Sequence, residues 1–474
     1  MRRGRALLAA ALVLALGGPA HASPDERELG RTFLLEARAE LPLVADPAVR
    51  EYVEGIGNRL VKVLGPQPFD YRFFVVQDPS LNAFSVPGGF VFVFTGLLAR
   101  VKNDDELAGV LGHEIGHAHA HHIVRMETQT MGWSAAQLLG MVLSAVNPVL
   151  GAGAVAAAQT AQLKYSRDFE QEADYLGLRF TSEAGYDPHA LGSFFKTLLA
   201  DQQVNPTSVP AYMLSHPLTE ERVAKVDTII GAEKLKTPPG RPAASPALAE
   251  VRAVTRAIAG PVDTVVDEYK RQAEQKPDDA GRQFLLGRIY QTVGQLGAAR
   301  AALEQAQKLG GLGERVDRPL GTVYADLKMP EQAEAALGRY LGRHPDDGYA
   351  LLQMGKAQAA AGDDDGALKE LERAIIVDPD LEEAQRLAGL ALGRRGNEAD
   401  GFYHLALASR LRGDLVQSLS QFERAAPLFA TGTPRKQEVE QAIAELRPIV
   451  AEMEREREAQ RRRGRSGLDA RRGR

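Results

Sequence analysis

Two histidines four residues apart bracket a glutamate in the run His113-Glu114-Ile115-Gly116-His117. The run lies inside an apolar helical pattern over about 105–124, and residues four apart on a helix differ by only about 40° around its axis. Both imidazoles can therefore reach one ion. Zinc takes neutral imidazole nitrogen at about 2.0 to 2.1 Å in a tetrahedral site, so two histidines require a third protein ligand and an open position for water. Glu114 can take a proton from that water as it attacks a peptide carbonyl, then return it to the leaving amine. In a chain this long the pattern arises by chance on the order of once in a hundred. Downstream, Glu170-Gln171-Glu172-Ala173-Asp174 sets two carboxylates one helical turn apart. Glu170 can face the ion while Asp174 orients a ligating histidine through a hydrogen bond. Glu172 points elsewhere and reads as surface, and His119, His121 and His122 read as bystanders on a solvated helix end.

Elements must position these groups. From about Pro24 to Val63, apolar residues such as Leu29, Phe33, Leu34, Val53, Ile56 and Leu60 recur at three- and four-residue steps, a helical pattern. Tyr71 to Gln77 and Phe90 to Phe94 are aromatic and β-branched runs parted by a segment containing Pro87-Gly88-Gly89, and they predict two strands of one small sheet. The histidine helix follows directly. Thr128 to Leu163 carries no charge and is interrupted by Asn147-Pro148. Neither half is long enough to cross a bilayer, so a buried helical hairpin is expected, with a lid or membrane-surface element as the alternative. A helix from Tyr165 to Glu183, a turn at Gly185 to Pro188 and a helix near Leu191 to Ala200 complete this half.

The length of 474 residues exceeds what one core ordinarily fills, and two domains are expected. A hydrophobic share of 44% with 25% charged residues is that of a globular protein, and a net charge of -5 gives no general pull toward nucleic acid. Arg2, Arg3 and Arg5, the apolar stretch Ala6 to Leu16 and the small-x-small site Ala20-His21-Ala22 read as a signal peptide over 1–22, so the chain is expected in an exported compartment. There is no cysteine, which excludes disulfides and a lipid attached through one.

The run Lys236-Thr237-Pro238-Pro239-Gly240-Arg241-Pro242 predicts a linker, placed at 236–246 between a domain over 23–235 and a second over 247–430. In that second domain Gly287, Gly321, Gly355 and Gly389 recur every 34 residues, the tetratricopeptide period. Ala299, Ala333 and Ala367, then Leu303, Leu337 and Leu371, fall in register, and Pro345 and Pro379 end the second helix of a pair. Four or more helix pairs are expected. Residues 431–474 read as a charged helix and a solvated, disordered Arg-rich tail, with an anionic membrane surface as the alternative partner.

The motif His113 to His117, the segment Glu170 to Asp174 preceded by Ser166-Arg167, and Asn82-Ala83-Phe84 followed by Pro87-Gly88-Gly89 resemble the HEXXH gluzincin metallopeptidase family of CAAX prenyl proteases, HtpX and BepA. The similarity covers about Leu29 to Val226, and export with C-terminal repeats is most like the BepA-type, periplasmic members. The resemblance implies an α+β zincin-like domain, mostly helical with a small sheet, followed by an all-α tetratricopeptide solenoid. It implies one zinc per chain on His113, His117 and Glu170, with Glu114 as general base and Asp174 behind a ligand. In Ser215-His216-Pro217, followed by Glu221-Arg222, it suggests that His216 reaches the site. That histidine would stabilise the oxyanion or fill the open zinc position, against the alternative of a turn histidine capping the next helix. Asn82, Phe90, Val91 and Phe92 are candidates for binding extended substrate by strand addition, although a plain core strand explains the apolar residues equally well.

By the same resemblance the expected function is periplasmic endopeptidase action on misfolded or stalled outer-membrane proteins. The repeat domain would recruit substrate or the outer-membrane assembly machinery. A chaperone or adaptor with a latent or structural zinc site is the competing reading, and a peripheral membrane protein a third. No nucleic-acid partner is expected.

Overall fold

The computed structural model describes residues 24–127, 137–140, 166–204, 211–238 and 244–472. The expected signal peptide lies outside them. So does most of the uncharged segment, of which only 137–140 are described, with Leu138 and Leu139 buried. Among the described residues no helix is long and apolar enough to cross a membrane. The chain divides into two compact units, residues 1–36 with 41–265, and 37–40 with 266–474.

Helix Pro24–Glu40, which belongs to the first unit as far as Glu36, and helix Pro47–Lys62 precede a three-stranded sheet of β1 (Arg72–Val76), β2 (Ala83–Val86) and β3 (Phe90–Phe94), in the order β1-β3-β2. β1 runs parallel to β3, and β2 antiparallel with Phe84 opposite Phe92. Gly88 and Gly89 both hold positive φ, 83° and 84°, so the chain reverses tightly from β2 into β3. A Cβ on Gly89 would also stand 2.5 Å from the Phe69 ring. β2 was not expected, because Ala83-Phe84-Ser85-Val86 is short and lacks a β-branched run.

This topology corrects the substrate strand. β3 is central and has both edges paired, so it cannot accept a further strand. Phe90, Val91 and Phe92 are buried, and the Phe92 ring stacks on Phe84 and Phe74 at 4.8 and 5.1 Å. A strand buried on both faces has the same apolar run as a binding strand, which is why the sequence did not separate them.

Helix Asp104–His119 runs through the centre of this unit and is buried from Asp105 to Ala118. Asn103 caps it by accepting from the Glu106 amide, and Asp104, Asp105 and Glu106 suit the positive end of its dipole. Helix Arg167–Glu183, capped by Ser166, lies against it at very short range. A Cβ on Gly112 would be 2.9 Å from the Gly177 carbonyl oxygen, and one on Gly116 2.9 Å from that of Ala173. One on Gly177 would be 2.8 Å from the His113 amide nitrogen. This glycine contact brings the two histidines within reach of the acidic helix. Gly177→Ala is expected to cost about 1–3 kcal/mol, read as a lower urea midpoint at unchanged m.

Helices His189–Val204, Ala211–Ser215 and Glu220–Glu233 follow. The next helix, Pro246–Ala259, buries Leu248, Val251 and Val254 in the core of this first unit. The division at residue 265 therefore falls later than the proline-rich run at 236–246 suggested, because the apolar stripe of helix Pro246–Ala259 packs into the first unit.

The second unit contains four helix pairs in the 34-residue register: Ala280–Thr292 with Leu296–Leu309, Asp317–Asp326 with Pro330–Leu341, Gly348–Ala361 with Asp364–Val377, and Glu382–Arg394 with Glu398–Leu411. The repeating glycine has one reason throughout. A Cβ would come within 2.6 Å of Leu303 at Gly287 and of Leu337 at Gly321, and within 3.0 Å of Leu371 at Gly355 and of Leu405 at Gly389. Helices Leu415–Ala425 and Pro434–Arg472 close the chain. The expected disordered tail is instead the continuation of that last helix, which carries Pro448 inside it. Arg, Glu, Gln and Ala propagate a helix well, and composition alone does not distinguish a charged helix from a solvated tail.

Candidate metal centre

Three elements converge on one buried point. The central helix supplies His113 and His117, the first turn of the acidic helix supplies Glu170, and the residue after helix Ala211–Ser215 supplies His216. One ligating atom from each lies within 4.8 Å of the others, and all four residues are buried. His113 Nε2 is 3.0 Å from His117 Nε2 and 3.3 Å from His216 Nδ1. Glu170 Oε1 is 2.9 Å from His216 Nδ1 and 3.4 Å from His117 Nε2, and Glu170 Oε2 is 3.7 Å from His113 Nε2.

These residues fit a tetrahedral cation. Four donors on a zinc at about 2.0 to 2.1 Å stand roughly 3.4 Å apart, which is the scale of the separations found. Three imidazole nitrogens turned toward one another share too few protons to satisfy themselves, whereas a cation between them satisfies every lone pair. Charge agrees. Glu114, Glu170 and Asp174 are buried with Arg222 as the cation among them, so a divalent ion neutralises what the guanidinium leaves over.

The surroundings fix each ligand. Asp174 Oδ1 is 3.0 Å from His113 Nδ1, as the one-turn spacing suggested. Arg222, whose role the sequence did not reveal, donates from Nε and Nη2 to the two Asp174 oxygens at 2.9 and 2.8 Å. Its Nη1 also lies 2.6 Å from Glu170 Oε2. Burial alone would raise both carboxyls. His216 and His117 hold Glu170 well below the usual carboxylate range, and His113 and Arg222 lower Asp174. Burial lowers His216, but Glu170 and Glu114 outweigh it and raise the imidazole above its ordinary value. Burial pushes His117 well down, which keeps the neutral form that ligates.

Glu114 is fully buried, pushed up by that burial, with Oε1 3.5 Å from His216 Nε2. Tyr212 was also not anticipated. Its ring stands 4.5 Å from that of His216, its amide donates to the Leu81 carbonyl at 3.0 Å, and burial raises its phenol well above the ordinary value. His216 does not cap the following helix, since the Thr219 side chain does so by accepting from the Arg222 amide. Asn82, next in sequence to Leu81, is buried, and its carbonyl accepts from Phe94 N at 3.0 Å.

The histidine tail of the motif departs from expectation. His119 and His121 contact Gln67 and Glu26. His122, expected on a solvated end, is buried with Nδ1 2.8 Å from His117 Nδ1. Its Nε2 is 3.1 Å from Glu172 Oε2, and Glu172 is half-exposed and paired with Arg125. His121 takes a φ of 54°, which breaks the helix and turns His122 inward, a change that helical spacing could not foretell.

Burial pushes His122 down to about 4 in spite of Glu172. In the unfolded chain it titrates near its ordinary 6.5, so between these values the unfolded state binds the extra proton. Its contribution to stability is intact above about pH 6.5 and lost as the pH falls toward 4. Urea unfolding of the chelated chain at pH 7 and pH 5 should show a larger loss than the same pair of measurements on His122→Phe.

A zincin-like sheet-and-helix unit with a buried His-His-Glu cluster, beside a separate unit of helical repeats, defines a metallopeptidase domain joined to a tetratricopeptide array. Residues 47–230 match Peptidase family M48 and residues 280–309 match the tetratricopeptide repeat, so the chain carries an M48 peptidase domain. It is 27% identical over 438 residues to the beta-barrel assembly-enhancing protease of Yersinia pestis, covering 83% of this chain and 86% of that one. Against the putative beta-barrel assembly-enhancing protease of Vibrio cholerae it is 29% identical over 330 residues, covering 68% and 61%. The mitochondrial metalloendopeptidase OMA1 of Schizosaccharomyces pombe is 32% identical over 190 residues, covering 39% and 54%. The chain thus spans less than two thirds of the Vibrio cholerae and Schizosaccharomyces pombe relatives.

Proposed function

We propose that the protein is an exported, periplasmic zinc endopeptidase acting on misfolded or stalled outer-membrane proteins, with the repeat unit binding substrate or the assembly machinery. The buried cluster of His113, His117, Glu170 and His216 carries this reading for the chemistry, and the names of the relatives support the substrate class.

A zinc ion held there would polarise a peptide carbonyl and lower the pKa of water toward about 7. Glu114, with a carboxyl raised by burial, is suited to take the proton of an attacking water and deliver it to the leaving amine. Asp174 and Arg222 keep the His113 ring in place. Tyr212 and His216 line the same point and can donate toward a developing oxyanion. Extended substrate would pair along β2, an outer strand, with Asn82 at its start.

One observation favours a second reading, a resting state that is latent or a chaperone that uses the repeats. His216 Nδ1 lies within 4.8 Å of the other three donor atoms and would be placed to take a fourth position on a bound ion. Both readings are tested by cleavage of an unfolded outer-membrane β-barrel protein by the full chain and by His216→Ala. A capping role predicts that the variant cuts faster, and an oxyanion role that it cuts more slowly. Absence of cleavage by either, with zinc bound, would leave the chaperone reading in place of the peptidase.

A further inference from the structure

We propose that His122, anchored by Glu172 and Arg125, is a positioning residue that fixes the ring orientation and tautomer of the metal ligand His117. The inference rests on reading the buried cluster as a metal centre. His117 turns Nε2 toward His113 and Glu170, so a bond to metal uses Nε2 and leaves the hydrogen on Nδ1. That Nδ1 is 2.8 Å from His122 Nδ1, which must accept. The hydrogen of His122 then sits on Nε2, 3.1 Å from Glu172 Oε2, and Arg125 Nη1 donates to the same oxygen at 2.8 Å. One set of tautomers satisfies the whole chain from the ligand to the half-exposed carboxylate.

Packing holds the intermediate ring rigid. The His122 imidazole stacks on Phe169 with ring centroids 4.5 Å apart and an interplanar angle of 17°. Phe169 immediately precedes the ligand Glu170, and the Arg125 guanidinium lies 4.7 Å from the same ring. The other helix ligand is served in parallel, since His113 meets the carboxylate of Asp174 directly, backed by Arg222. Here an imidazole is interposed between ligand and carboxylate, which carries the support from the interior to the surface. Partners behind a metal ligand typically change affinity by about 10- to 100-fold.

The test is zinc affinity of the full chain by competition with a chromophoric chelator, with the thermal midpoint of the metal-free form measured alongside. His122→Phe keeps the stacking on Phe169 but loses the acceptor, and should bind zinc about 10- to 100-fold more weakly. His122→Asn, whose amide oxygen can stand where Nδ1 stands, should recover most of that loss. Glu172→Gln, a surface change, should weaken zinc roughly threefold to tenfold at an unchanged metal-free midpoint. Equal losses in the Asn and Phe variants would show a packing role and overturn the proposal, as would unchanged affinity in Glu172→Gln. If the unmodified chain binds no zinc, the metal-centre reading itself fails, a result separate from zinc bound equally by all four proteins.

Discussion

Glu114→Gln is expected to lower kcat for peptide hydrolysis by about 100- to 10,000-fold while zinc content stays at that of the unmodified chain. The carboxylate is fully buried, directly after His113 and about one helical turn before His117, and its burial raises its pKa toward the working range of a general base. Gln keeps the shape and removes the ability to carry a proton. Because Glu114 is not among the clustered donors, the variant should lose turnover without losing metal. Paired measurements of kcat and bound zinc check this. A variant that loses zinc together with activity would instead make Glu114 part of the metal-holding set.

The second large effect is on stability. Arg222→Ala removes the guanidinium that holds both oxygens of Asp174 and one of Glu170. Breaking a buried pair from one side leaves an uncompensated charge and costs about 3–5 kcal/mol, read by chemical denaturation of the metal-free chain. The pH dependence should change as well. Asp174 is depressed in the folded protein, so its contribution is present above its unfolded pKa and lost as the pH falls through its folded one. Without Arg222 the folded pKa rises toward the unfolded one, so the variant starts less stable but Asp174 should contribute a smaller further loss as the pH falls below its unfolded pKa. Zinc should restore part of the loss, since its charge replaces some of the missing guanidinium.

Much of this arrangement was legible in local patterns. The spacing of His113 and His117 places both on one helix face, and Glu170 and Asp174 repeat that geometry on a second helix. The repeat glycines mark where Leu303, Leu337 and Leu371 press on a neighbouring helix, so a period in the sequence translated directly into packing. What was not legible depended on contacts distant in sequence. Arg222 is one charged residue on an ordinary helix until folding sets it against Asp174, 48 positions earlier. Tyr212 carries no motif at all. His122 was misplaced because helical periodicity was extended past Ala120, where the backbone at His121 leaves the helix. The Phe90 to Phe94 run showed a strand correctly but not that its partners occupy both edges, since pairing is a property of the sheet. The proline-rich run similarly did not tell that the next helix, Pro246–Ala259, would pack into the first unit.

The most direct test of the central claim is metal content and hydrolysis of an unfolded outer-membrane β-barrel protein, followed on one preparation through chelation and zinc replacement. The account predicts about one zinc per chain, loss of hydrolysis when it is removed, and recovery when zinc is returned. It further predicts neither zinc nor recovery in a His117→Ala chain. Undiminished hydrolysis by the chelated protein, or stoichiometric zinc in the His117→Ala chain, would contradict it.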